Sequence, residues 1–160
     1  MNPLDQNMIN FRLEKGKFNY RVAGILMRNE KILISKYEHG KWWYLPGGRA
    51  DLLEDSKTSL QREFKEELDC EIEVQQLHYF VEHFFTHKNI DYHEICLMYK
   101  VELTAGEIPD EDFVREEHGN QFFFKWVTME ELAGYDIKPL FLKDGLVLKN
   151  EIQHVTQYDS

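Results

Sequence analysis

Glutamates stand at positions 63, 66 and 67, with Arg62 before them and Glu54 eight residues further back. On a helix turning about 100° per residue, the three glutamates fall within an arc of about 100°. Like charges at these spacings repel by a few tenths of a kcal/mol per pair. Such a face is either solvated or a seat for a cation. From Glu54 to Glu71, seven acids stand against three bases. Carboxylate oxygens are hard ligands, the kind Mg²⁺ takes when it bridges a protein to phosphates. Just upstream, Pro46-Gly47-Gly48 forms a turn whose side-chain-free backbone can approach a ligand closely.

The elements that must position these groups can be read around them. Residues 49–54 read as a loop, and Asp55 or Ser56 can cap the helix that follows. Leu60, Phe64 and Leu68 recur every four residues and predict a stripe facing the core. The glutamate arc lies beside that stripe, not opposite it, which places the carboxylates at the rim of a cleft. Residues 18–29 and 31–37 predict an antiparallel hairpin, and residues 42–45 an aromatic run leading to Pro46. Residues 72–81 and 93–103 read as two more strands joined through a polar segment at 87–91, and residues 121–127 as another. Residues 105–120 read as acidic and irregular, with Pro109 and Gly119 as breakers. Thr128 and Glu131 make a capping-box pattern, and Pro139 suits the first turn of a last helix carrying Leu140, Phe141, Leu146 and Val147. Residues 1–17 read as an arm or short edge strand. The sum is an α/β protein, a mixed sheet packed against helices.

Composition narrows the partners. A chain of 160 residues is most simply one domain, and 42% apolar with 30% charged residues excludes a disordered chain. A net charge of -10 argues against a nucleic-acid polymer as partner, and a phosphorylated ligand would need a cation to compensate. The N-terminus has no apolar run of the leader type and no stretch is long enough to span a bilayer, so the expectation is a cytoplasmic protein with no membrane partner. Cys70 and Cys96 make no disulfide framework for a chain of this size, and free thiols are expected. Nothing in the sequence decides between monomer and homodimer.

The spacing from Gly48 through Glu54 to Arg62-Glu63-Phe64 and Glu66-Glu67 resembles the Nudix box, in which a glycine, a glutamate and an R-E-U-x-E-E helix recur at fixed intervals, U being apolar. The departure is Asp69 where the family has its second glycine, with Cys70 at the last apolar position. That glycine would serve as a left-handed helix stop, a conformation Asp tolerates better than most residues. The resemblance implies a Nudix α/β/α sandwich over residues 1–160 as a single domain, with the box itself covering residues 48–70. It implies hydrolysis of a diphosphate linkage in a nucleoside diphosphate joined to another moiety X, dependent on Mg²⁺ or Mn²⁺. Glu63, Glu66 and Glu67 would be the metal ligands with the Gly47 carbonyl, and Glu54 would pair with Arg62 to orient Glu63. For the catalytic base, Glu63 competes with Glu116 and Glu117, which read as a flexible loop.

Each assignment has a plainer competitor. The glutamates could be a solvated face, Arg62 a simple i,i+4 partner of Glu66, and Glu116 and Glu117 loop solubility. Gly48 with Trp43 and Tyr44 is expected at the substrate, one aromatic stacking on a base, although strand aromatics are more often core. His83, His87 and His93 read as surface or hairpin histidines and not as a second metal site. Two other functions compete. A catalytically silent nucleotide-binding module would be expected to have lost box carboxylates, and all are kept. An isomerase of the isopentenyl-diphosphate type would want a nucleophilic cysteine region, and Cys70 merely ends the helix. The substrate's identity is not written in the motif: the proline common in ADP-ribose-type members is missing, as is the NADH-type signature.

Overall fold

A computed structural model describes residues 6–159, and the fold is organised around its longest-shared strand. The strands are β1 (Asn10–Leu13), β2 (Gly16–Arg28), β3 (Lys31–Tyr37), β4 (Gly47–Arg49), β5 (Glu71–His87), β6 (Ile90–Ala105), β7 (Phe113–Glu117), β8 (Asn120–Thr128) and β9 (Gln153–Tyr158), with helix α1 at Ser56–Leu68. They form one mixed sheet in the order β7-β8-β3-β2-β6-β5-β9. One edge of β2 runs parallel to β6 from Lys17 to Leu26. Its other edge is divided in succession among β1, β4 and β3. The β2–β3 pairing lasts only from Met27 to Arg28, so β3 diverges and carries β8 and β7 away from the rest of the sheet. That divergence opens the cleft in which the carboxylates lie.

Alternation along β2 feeds two cores. Val22 and Leu26 pack with Leu60, Phe64 and Leu68 of α1 on one face, as the four-residue stripe predicts. Ala23 and Ile25 pack on the other face with Leu132, Ile137, Leu142 and Leu146. The layering is therefore α/β/α, but the second helical layer consists of short 3-10 turns at Glu131–Gly134 and Leu140–Asp144, not of the α-helix expected after Pro139. Thr128 Oγ1 does accept from Glu131 N at 3.1 Å, yet the chain it caps closes only one tight turn. Gly24 lets α1 lie close, since a Cβ there would be 2.7 Å from the Phe64 ring. Removing that fully buried ring would cost about 3–5 kcal/mol.

Asp55 caps α1, accepting from Thr58 N at 2.9 Å. Asp69 ends it in the left-handed conformation (φ 49°, ψ 41°), as expected of a residue standing in for glycine. Other expectations are corrected. Residues 47–49 are strand, antiparallel to residues 21–23, and not turn and loop. Residues 113–117 form β7 and are not a flexible loop, because β8 satisfies their backbone through a tight turn at His118-Gly119. β5 runs on to His87 and turns through Lys88-Asn89, both at positive φ. β9 falls in a stretch the sequence left unassigned, and it completes the sheet beside β5. The N-terminal edge strand is seen as β1, while residues 1–5 lie outside the described residues. Cys70 and Cys96 are buried free thiols. Among the described residues, no helix is long and apolar enough to cross a membrane.

Candidate active site

A cavity of about 590 Å³ opens where β3 leaves β2. Its carboxylate end is lined by Glu63, Glu66 and Glu67 from α1, Gly47 and Gly48 from β4, and Glu117 from β7. The helix faces the cavity at this angle because its apolar stripe is fixed in the core, which leaves Glu63 and Glu67 only 6% and 8% exposed.

Arg62 ties the cluster together. Its guanidinium donates to Glu54 Oε1 at 3.1 Å, to Glu63 Oε1 at 2.9 Å, to Glu66 Oε2 at 3.4 Å and to the Arg49 carbonyl at 3.2 Å. Glu54 also accepts from Ser59 Oγ at 2.5 Å, so the pair is fixed to the first turn of α1. The i,i+4 contact and the orienting contact to Glu63 therefore coexist. Gly48 is required here: a Cβ at that position would stand 2.3 Å from the Glu63 carboxylate carbon.

The electrostatics follow from burial. Desolvation pushes Glu63 up to about 7, although Arg62 pulls in the other direction. Glu67 is raised well above the usual carboxylate range by burial and then by Glu63, with the Arg21 charge opposing. Its Oε2 is buried without a hydrogen-bond partner. Burial and the Glu66 charge raise Glu117 as well. A cluster that disfavours its own ionisation is suited to a positively charged ligand.

The other expected residues separate. Glu116 alternates outward on β7 and is exposed, so it is removed from the site by strand periodicity. Trp43 is also a correction: it turns away from the cavity and packs edge-on against Tyr135. Its neighbours Trp42 and Tyr44, on the opposite side of the chain, line the cavity instead. Arg21, stacked over the Tyr44 ring at 4.9 Å and donating to the Leu45 carbonyl at 2.8 Å, was not singled out in the sequence.

His83 and His87 are the clearest correction. Both are in β5, four residues apart on one face, because the strand outruns its expected end by six residues. Both line the cavity, and His83 is buried, donating from Nε2 to Asp159 Oδ2 at 2.6 Å. The signal available in the sequence was the aromatic run through Phe84 and Phe85, which continues the strand past residue 81 and sets His83 and His87 on one side of it. His93 lies beside Phe18 and Phe84, away from the cavity.

A family profile described as NUDIX domain matches residues 18–148. No curated protein matches the chain in sequence. Among solved structures, MutT protein from Methanosarcina mazei Go1 superposes with a TM-score of 0.63 at 17% identity, over 83% of this chain and 93% of that one. The ORF135 protein of E. coli gives 0.54 at 22% identity, over 82% and 89%. An ADP-ribose pyrophosphatase from Streptococcus suis 89-1591 gives 0.53 at 16% identity, over 87% and 98%. At these identities the structures speak for the fold alone.

Proposed function

The chain belongs to the Nudix family and is a hydrolase of phosphorus-containing anhydrides, and we propose that it is a divalent-metal-dependent pyrophosphohydrolase acting on a nucleoside diphosphate linked to a further group. One observation carries this: four carboxylates, Glu63, Glu66, Glu67 and Glu117, line one end of a single cavity, and the Oε2 of Glu67 is buried there with no partner. A silent binding module has no need to keep that costly arrangement.

The residues fit a hard cation such as Mg²⁺ or Mn²⁺ in donor chemistry: the candidate donors are all oxygens, and the raised affinity of Glu63 and Glu67 for protons is a raised affinity for positive charge. Among the described residues, no group of three is already arranged to hold an ion; Glu63 is held toward Arg62 instead. Glu63, Glu66 and Glu67 would hold the metal beside the Gly47 backbone. When bound, it supplies neutralisation of the diphosphate charge and polarisation of the bond to be broken.

The chain's own residues do the rest. Arg62 and Glu54 hold the Glu63 carboxylate in place from behind, and Gly48 leaves it room. Glu117, half-buried and 3.6 Å from His118 Nε2, accepts the proton of the water that attacks phosphorus. Its raised affinity for protons brings it nearer the working pH. Arg21 and Tyr44 line the same cavity, Arg21 standing on β2 between Ala23 at the carboxylate end and Asn19 at the other.

The test is a panel of nucleoside triphosphates, nucleotide sugars and dinucleoside polyphosphates, each with Mg²⁺ or Mn²⁺, for the native protein and Glu67→Gln. Hydrolysis of at least one diphosphate-linked nucleotide, abolished in the variant, is expected. No cleavage of any compound, or full turnover by Glu67→Gln, would sink the proposal.

A further inference from the structure

The far end of the same cavity is built from one row of the sheet. Asn19 on β2 is the cross-strand partner of Glu94 on β6, and Glu94 is the partner of His83 on β5. All three are buried, at 4%, 9% and 3% exposed, and all three line the cavity. Asn19 Nδ2 donates to Glu94 Oε2 at a long 3.3 Å. His83, anchored to Asp159, leaves its Nδ1 3.8 Å from Glu94 Oε1, beyond hydrogen-bond reach. Among the described residues, no Lys or Arg stands within ion-pair distance of Glu94. A nearly buried carboxylate is thus left with one weak donor, where such groups ordinarily hold several.

The surroundings say what would complete it. Two residues further along the same strands, Phe85 and Tyr92 are stacked with ring centroids 4.8 Å apart and planes 4° apart. Phe85 also meets Trp42 edge-on at 6.0 Å, and all three line the cavity. Aromatic walls beside a buried acceptor suit a planar ring that presents N–H groups at its edge. In the other direction, Ala23, which pairs with Gly47 at the carboxylate end, is four positions along β2 from Asn19. At the rise of an extended strand that is roughly 13 Å, the reach of a nucleoside diphosphate laid out along the cavity floor.

We propose that Glu94 selects the base of the substrate, its two carboxylate oxygens accepting two adjacent N–H groups, and that the preferred base is a guanine-type 2-amino-6-oxopurine. The inference rests on the nucleotide reading above and deepens it. Of the common bases, guanine alone presents two neighbouring donors, its ring N1–H and its 2-amino group. Adenine and cytosine set an amino group beside an unprotonated ring nitrogen, and uracil flanks its N–H with carbonyls. Each of these turns a lone pair toward the carboxylate. Asn19, which donates to one of those oxygens, is a positioning residue for Glu94.

Two measurements test this. The first compares kcat/KM for guanine, adenine, cytosine and uracil nucleotides carrying the same cleavable group. A guanine preference of about 100-fold over adenine is expected, collapsing to under about 10-fold in Glu94→Gln, since a site with unmet hydrogen-bonding groups rejects the wrong partner strongly. The second titrates GMP and AMP against the metal-free protein by quenching of tryptophan fluorescence, with GMP binding tighter in the native protein and the difference lost in Glu94→Gln. Failure to hydrolyse any nucleotide would strike the pyrophosphohydrolase reading while the GMP titration still judged the base site. Hydrolysis or binding without base preference in the native protein, which needs no variant to fold, would overturn the role of Glu94, as would a preference surviving in Glu94→Gln.

Discussion

Glu67→Gln should make the metal-free protein more stable while making it inactive. In the native chain this carboxylate is 8% exposed and one of its oxygens has no partner. Leaving a charged buried group unsatisfied costs at least about 1–3 kcal/mol. Glutamine keeps the shape and removes the charge, although its amide is also short of partners. A net gain of about 1–3 kcal/mol at pH 8 is expected, with each kcal/mol worth about 2–4 °C for a chain of this size. The sign follows from proton binding. Burial raises the folded pKa of Glu67 above its unfolded value, so the folded state holds the extra proton. Native stability therefore falls as pH rises from 4.5 through the folded pKa, and below 4.5 both states are protonated and the advantage of glutamine vanishes. Thermal unfolding with EDTA at pH 8 and pH 5, repeated with Mg²⁺, checks this. Mg²⁺ should raise the native midpoint at pH 8 and leave the variant nearly unmoved. A variant less stable than the native protein at pH 8, or an equal response of both to Mg²⁺, would refute the reasoning.

Three further outcomes follow from the same geometry. Gly48→Ala should lower kcat by at least about 10-fold with the fold retained by circular dichroism, because its Cβ would displace the Glu63 carboxylate from 2.3 Å away. Glu117→Gln should lower kcat by about 10²-fold or more and remove the acidic limb of the pH–rate profile, whereas the exposed Glu116→Gln should change neither; equal effects would show that the strand face does not decide the role. Asp69→Gly should shift unfolding in urea by less than about 1 kcal/mol and leave turnover intact, while Asp69→Val, a branched residue forced to φ 49°, should cost about 1–2 kcal/mol.

Much of this protein was legible before any coordinate. The helix, its capping at Asp55 or Ser56, its stop at Asp69 and its buried stripe are local events, decided within a few residues by spacing, capping and backbone freedom, and the structure selects Asp55 as the cap. The glutamates beside that stripe followed from the same geometry, so their approach to one another needed no tertiary information. The early strands were legible by the same token, as runs of apolar and aromatic residues.

What only the tertiary structure decided was which face of each strand meets the cavity. A one-residue difference in alternation put Glu117 inside and Glu116 outside, and likewise put Trp42 and Tyr44 inside and Trp43 against Tyr135. The extension of β5 to His87 brought His83 and His87 onto one face, and β9 brought Asp159 to hold His83 from 76 residues away. The row of Asn19, Glu94 and His83 comes from three strands and exists only through their register. A sequence states the order of residues along a strand, but cross-strand register is fixed by the hydrophobic faces of several distant segments packing at once. The carboxylate seat was therefore written in one contiguous stretch, and the opposite end of the cavity was written nowhere until the sheet assembled.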